Sequence, residues 1–214
     1  MPFPIILSSP SGGGKTTIAY KLLAMRADVG YSVSCTTRPP RPGEIDGRDY
    51  HFLSLEKFKR GKAEREFAES AEVHGHLYGT LRAEVERVLS SGRHVIMDID
   101  VQGAKQFARA FPDSVLVFIL PPSAEVLVER LKARGTEDRK SLIRRFKSAK
   151  AELKAIDLYP YLIVNDEIDS AVTAVSSIID AEGLKRSRNG ALDARVEELM
   201  DGIQRAIDHY SARK

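Results

Sequence analysis

The sequence predicts an α/β fold, a parallel sheet wrapped by helices and interrupted by a small, mixed β-rich insert. Three observations predict it. Short apolar runs alternate with helical patterns along most of the chain. A glycine-rich loop stands between the first apolar run and the first helix. The alternation breaks between about residues 33 and 81, where prolines, glycines and short alternating segments take over.

The first apolar run, residues 3–7, reads as a buried strand, because no basic leader precedes it. Ser9, Pro10, Ser11, Gly12, Gly13, Gly14, Lys15, Thr16 and Thr17 follow. Consecutive glycines let backbone N–H groups turn inward around an anion, and the helix that begins near Gly14 aims its positive end at the same point. Lys15 adds a full charge, and Thr16 adds a hydroxyl suited to Mg²⁺. This is the phosphate-binding pattern GxxxxGK[ST] with Ser9 in place of the first glycine. A serine there is strained only if the position demands a positive φ. The helix continues over 18–26, with Ile18, Leu22 and Leu23 on one side, and 27–30 ends it.

Residues 31–35 alternate like a strand. Three prolines then stiffen the stretch from Thr36 to Glu44, which by itself would be a solvated turn or, through Pro39 and Pro42, a polyproline ligand. A strand is expected over 49–53, a brief helix over 55–60 and a mixed segment over 67–78. The α/β texture returns with a helix over 81–89, a strand over 94–98 and a helix over 101–110. Residues 115–120 are continuously apolar, as suits a strand buried on both faces. Helices over 124–133 and 139–153, a strand over 161–164 and a helix over 168–181 complete the core pattern. After a basic, loose stretch over 185–190, Leu192, Val196, Leu199, Ile203 and Ile207 mark an amphipathic helix. That stripe either docks on its own domain or contacts another subunit.

Composition narrows the function classes. The chain has 214 residues, enough for a large core without staples. A net charge of +3 against 29% charged residues gives no global argument for nucleic acid. No apolar run reaches the length of a membrane span, and the single cysteine, Cys35, suits a reducing cytoplasm, so a cytoplasmic protein is expected. His74 and His76 lack a third metal ligand, and Cys35 lacks a base partner.

Inside the insert, Ser34-Cys35-Thr36-Thr37-Arg38, then Arg41-Pro42-Gly43-Glu44, then Gly47-Arg48-Asp49-Tyr50 resemble the nucleotide-monophosphate lobe of guanylate kinases. Glu69, Leu77-Tyr78-Gly79-Thr80, Asp98-Ile99-Asp100 with Gln102-Gly103, Arg134-Gly135-Thr136 and Val164-Asn165-Asp166 extend the resemblance over about residues 3–182. It implies a P-loop kinase core (1–32 and 82–182) carrying a helical lid (about 126–156), a GMP-binding lobe (33–81) and a C-terminal helical extension (183–214). It also implies transfer of the γ-phosphoryl of ATP to GMP, with Mg²⁺. The alternatives are a non-catalytic guanylate-kinase-like binding module and a P-loop kinase for another phosphate acceptor.

Residue roles follow from the same resemblance. Arg38, Arg41, Tyr50 and Tyr78 hold the GMP phosphate, a group that calls for guanidinium forks. Glu69 and Asp100 accept the N–H groups of guanine, with Ser34 and Thr80 as hydroxyl partners. Adenine would turn an acceptor toward Glu69, so the site would reject it. Lys15, Arg134, Arg145 and Arg38 carry the catalytic charge. The loop residues Ser9 to Thr17 bind ATP with Arg130, Arg134 and Asn165, the last at adenine. Thr16 and Asp98 take Mg²⁺, directly or through water. Neither nucleic acid nor membrane is an expected partner, and the chain is expected as a monomer or homodimer. In the basic stretch 130–150, Arg139, Lys140, Lys147 and Lys150 are expected on a solvated face.

Overall fold

The computed structural model describes residues 1–73, 75–133 and 139–212. Residues 2–176 form one compact unit, and Met1 with residues 177–214 forms another.

The larger unit is built on a five-stranded parallel sheet in the order β2-β7-β1-β8-β9. Its strands are β1 (Pro4–Ser8), β2 (Val29–Tyr31), β7 (His94–Asp98), β8 (Val115–Leu120) and β9 (Tyr161–Val164). β1 lies at the centre and every residue of it is buried, as a strand covered on both faces must be. Helix α1 (Lys15–Met25) packs on β1, β2 and β7. Helices α3 (Arg82–Ser90) and α4 (Val101–Ala110) bring Val85, Val88, Ala104 and Phe107 onto Ile6, Val95, Met97, Leu116 and Phe118. After β1 the chain runs to β2 at one edge and later returns to β8 on the other side of β1. The carboxyl end of β1 is therefore a switch point, where open α/β sheets place their ligands.

The insert is a second sheet in the order β4-β3-β6-β5, with β3 (Cys35–Thr36) and β4 (His51–Phe52) parallel and the rest antiparallel. The mixed segment resolves into a pair, β5 (Phe67–Val73) and β6 (His76–Leu81). Helix α2 (Leu55–Ala63) starts on Ser54, whose hydroxyl accepts the Lys57 N–H, and sets Phe58 against Phe67 and Cys35. The strand expected over 31–35 is divided. Val29–Tyr31 pairs with β7 in the core sheet, whereas Cys35–Thr36 pairs with β6 in the insert. Alternating polarity marks extended chain but carries no record of which sheet takes each half.

Helices α5 (Ala124–Ala133) and α6 (Arg139–Leu153) pack through Leu127, Leu131 and Ala149. On α6 the side chains of Arg139, Lys140, Lys147 and Lys150 are exposed, as expected. Helix α7 (Ile168–Gly183) leads into a basic turn and then α8 (Gly190–Ser211), which has no buried residue. The apolar stripe of α8 therefore does not dock within its own unit. Among the described residues no helix is long and apolar enough to cross a membrane.

Candidate active site

The loop after β1 closes on itself through a bond from the Gly13 N–H to the Pro10 carbonyl, 2.9 Å. Ser9 has no positive φ, so serine in place of the first glycine brings no backbone strain, and its hydroxyl donates to Pro10 O at 2.9 Å. Gly14 differs: its φ is +94°, and a Cβ there would stand 2.5 Å from Asn165 Nδ2. That nitrogen instead donates to Gly13 O at 2.9 Å, and Asn165 is only 3% exposed. Asn165, expected at adenine, thus braces the loop from the end of β9.

Two further elements reach the loop. Arg145 of α6 is buried and donates to Leu131 O and to Ser11 Oγ, each at 3.1 Å. Glu152, about two turns further along α6, accepts the Ser11 N–H at 3.3 Å and the Ser148 hydroxyl at 3.2 Å. The Arg130 Cβ lies 3.5 Å from where a Cβ on Gly12 would stand, so α5 also borders the loop. Arg134 lies outside the described residues, as does His74.

Asp98 ends β7 beside the start of α1. One of its carboxylate oxygens accepts the Thr16 hydroxyl, and the other accepts the Tyr31 hydroxyl at 2.5 Å. Tyr31 is held well above its ordinary pKa, first by burial and then by the Asp98 charge, so it serves as a donor. The sequence reading missed Tyr31. Its position at the end of an edge strand is set by the pairing of β2 with β7, which periodicity does not encode. Thr16 and Asp98 offer the hard oxygen donors that Mg²⁺ accepts alongside water and substrate phosphate. Among the described residues no group of three His, Cys, Asp or Glu is placed to hold a metal ion.

In the insert, Arg38 is 8% exposed and its fork is fully oriented. Its Nη1 and Nη2 donate to the two Glu44 oxygens at 2.8 and 2.9 Å, and Nε donates to the Tyr78 hydroxyl at 3.3 Å. The Tyr50 ring lies 5.3 Å from the guanidinium carbon, edge-on to Tyr78 at 6.0 Å. Glu44 also accepts the Arg41 N–H at 2.7 Å, so a single carboxylate sets both arginines. The Arg38 bonds hold its pKa below the usual range. Sequence reading gave Glu44 no role, since only the folded proline turn returns it to Arg38.

Beside this cradle, Glu69 on β5 is 5% exposed and accepts the Thr80 hydroxyl at 2.8 Å. Asp100 caps α4, accepting the Gly103 N–H at 2.7 Å. A Cβ on Gly103 would come within 2.6 Å of Glu69 Oε2, so only glycine lets α4 approach the carboxylate this closely. Burial, opposed by the Thr80 bond and aided by the Asp100 charge, lifts Glu69 to a pKa of about 7. Ser34 is also buried here. A cavity of about 220 Å³ runs from Asp100 and Gln102 to Glu72 and to Ser148 and Glu152 of α6. Another of about 220 Å³, near Cys35, Lys57 and Arg60, contains none of the expected site residues. Burial lifts the Cys35 thiol to about 12, which leaves it a packed, inert group.

The two halves face each other. Tyr50 of the insert is raised to about 12 by burial and then by the charge of Asp98, which belongs to the loop side. An anion on the loop and an anion on Arg38 would therefore share one cleft.

The chain matches the family model described as guanylate kinase over residues 1–182. A curated guanylate kinase of Clostridium perfringens (strain SM101 / Type A) is 45% identical over 201 residues, covering 93% of this chain and 93% of its own length. One from Sphingopyxis alaskensis is 46% identical over 199 residues, covering 92% and 90%. Among solved structures, guanylate kinase from Anaplasma phagocytophilum superposes with a TM-score of 0.72 at 36% identity, covering 87% of this chain and 89% of that one.

Proposed function

The chain belongs to the guanylate kinase family and is an ATP-dependent nucleoside monophosphate kinase, and from that premise we propose how its residues divide the reaction ATP + GMP ⇌ ADP + GDP. The bond from the γ-phosphorus to the ADP oxygen breaks, and one from a GMP phosphate oxygen forms. The acceptor oxygen is already ionised, so the reaction needs alignment and charge stabilisation and no strong base.

The loop amides and Lys15 hold the β and γ phosphates. Thr16 and Asp98 would hold Mg²⁺, directly or through water. When bound, that ion neutralises charge on the phosphate oxygens. Arg38, Arg41, Tyr50 and Tyr78 align the acceptor. Arg130, Arg134 and Arg145 offset charge on the moving group, and closure of α5 and α6 keeps water out. Asn165 holds the loop with Nδ2 and leaves Oδ1 for the amino group of adenine.

The observation that carries the choice of acceptor is Glu69. Its carboxylate is 5% exposed, and the groups that shift it are Thr80 and Asp100, neither of them a cation. A carboxylate held that way is stabilised by two N–H donors on one base edge. Guanine supplies them, whereas adenine presents an acceptor. The test is ADP release with GMP, AMP, UMP or CMP as acceptor. GMP alone should give fast turnover, and equal rates with AMP would overturn the reading. Lys15→Ala should lower kcat by about 100-fold or more with little change in GMP affinity; near-normal turnover would remove its assigned role.

A further inference from the structure

Glu69, the carboxylate proposed above to read guanine, sits on a weakly held strand. β5 is the edge of the insert sheet, so one side of its backbone has no neighbouring strand. Its ladder with β6 also slips by one residue: Phe67 pairs with Leu81, whereas Glu69 pairs with Thr80. Residues two apart on a strand ordinarily share a face, and a slip of this kind parts them. Phe67 stacks on Phe58 of α2, ring centroids 4.4 Å apart, while Glu69 turns to Thr80 and to α4. The slip aims Glu69 but interrupts the ladder beside it.

At Ser70, next after Glu69, one side chain takes both outward backbone groups. The Ser70 N–H donates to Gln106 Oε1 at 3.2 Å, and Gln106 Nε2 donates to the Ser70 carbonyl at 3.1 Å. A primary amide carries an acceptor and a donor side by side, which is what a neighbouring strand would offer. Gln106 lies on α4, one turn beyond Gly103 and on the same face. Gly103 leaves room for Glu69 Oε2, and its N–H donates to Asp100. One helix thus carries Asp100, the space for Glu69 and the clamp on Ser70.

We propose that Gln106 is a positioning residue for base recognition: standing in for the missing strand beside Ser70, it fixes the spacing between Glu69 and Asp100, the two carboxylates assigned to the guanine N–H groups. This rests on the reading of those two carboxylates given above. Gln106 acts through the β5 backbone and touches no substrate. Two carboxylates select a base only while their spacing matches the donors on its edge. The Ser70 bonds are exposed to water, so each contributes modestly, and losing them loosens the strand without unfolding it.

Steady-state kinetics with GMP varied at saturating ATP tests this on Gln106→Ala, Gln106→Glu, Glu69→Gln and the double variant of Gln106→Ala with Glu69→Gln. Alanine suits a helix as well as glutamine does, so α4 itself is not weakened. Gln106→Ala should raise the KM for GMP about fivefold, with kcat and the KM for ATP unchanged. Gln106→Glu should raise it at least as much, because a carboxylate keeps the acceptor but sets a negative oxygen against the Ser70 carbonyl. In the double variant the Gln106 change should add little to the effect of Glu69→Gln, since the two act as one unit. A KM for GMP unmoved by Gln106→Ala, while Glu69→Gln raises it, would overturn the positioning role and leave the guanine reading standing. Fully additive effects would also overturn it, by making Gln106 a general support. A KM for GMP unmoved by Glu69→Gln would overturn the guanine reading and this proposal with it.

Discussion

Glu69 shows at the residue scale how burial becomes specificity. Its pKa is about 7, against an ordinary value near 4.5, because burial disfavours the charged form. On the proposed reading, guanine N–H donors would favour the ionised form and pull the pKa down on binding. Affinity for GMP should therefore be full above pH 7 and fall as pH drops through 7. The KM for GMP should rise about tenfold per pH unit below that point. Glu69→Gln should remove this slope and leave only the weaker one from the substrate phosphate, whose second pKa is about 6. An unchanged slope in that variant would mean another group reads the base. Tyr31 supplies a second residue-level test. Its hydroxyl fixes one oxygen of Asp98 while Thr16 takes the other. Tyr31→Phe should weaken Mg²⁺ affinity in the ATP complex about tenfold, measured by calorimetric titration, as loss of an outer partner does. Unaltered affinity would reduce Tyr31 to packing.

At the scale of elements, the loop after β1 depends on pieces far from it in sequence. Asn165 at the end of β9 satisfies the Gly13 carbonyl, and α6 holds Ser11 through Arg145 and Glu152. Asn165→Ala leaves a buried carbonyl without its donor and should lower stability by about 1–3 kcal/mol, read in urea unfolding, together with a higher KM for ATP. No change in stability would show the brace to be incidental. This is also where sequence reading reached its limit. The loop, the strands and the helices were legible, because glycine spacing and apolar period are local properties. The division of the 31–35 stretch between two sheets was not, nor were the partners of Ser11 and Arg38. Those depend on which strand pairs with which and on where a proline turn returns. Residues proposed to bind substrate carried motif signals. Residues that hold them in place, Tyr31, Glu44 and Glu152, carried almost none.

For the molecule as a whole, the central claim is that two anion cradles open onto one cleft. One is made of loop amides and Lys15, the other of the Arg38 fork with Tyr50 and Tyr78. The switch point of the sheet fixes the first, and the insert brings the second toward it. The Asp98 charge, after burial, helps raise Tyr50, which supports the proposal that the two sides lie near each other. The resemblance gave the pairing in advance, whereas composition and periodicity alone would have left the insert as a small β-rich module of no stated purpose. The most direct measurement is paramagnetic relaxation of GMP phosphorus by Mn²⁺ bound with a non-hydrolysable ATP analogue. The account predicts strong broadening of the GMP ³¹P signal, lost on displacing the analogue with excess metal-free ATP. A GMP signal that stays sharp while both nucleotides are bound would contradict it, because the phosphates would then be too far apart to exchange a phosphoryl group.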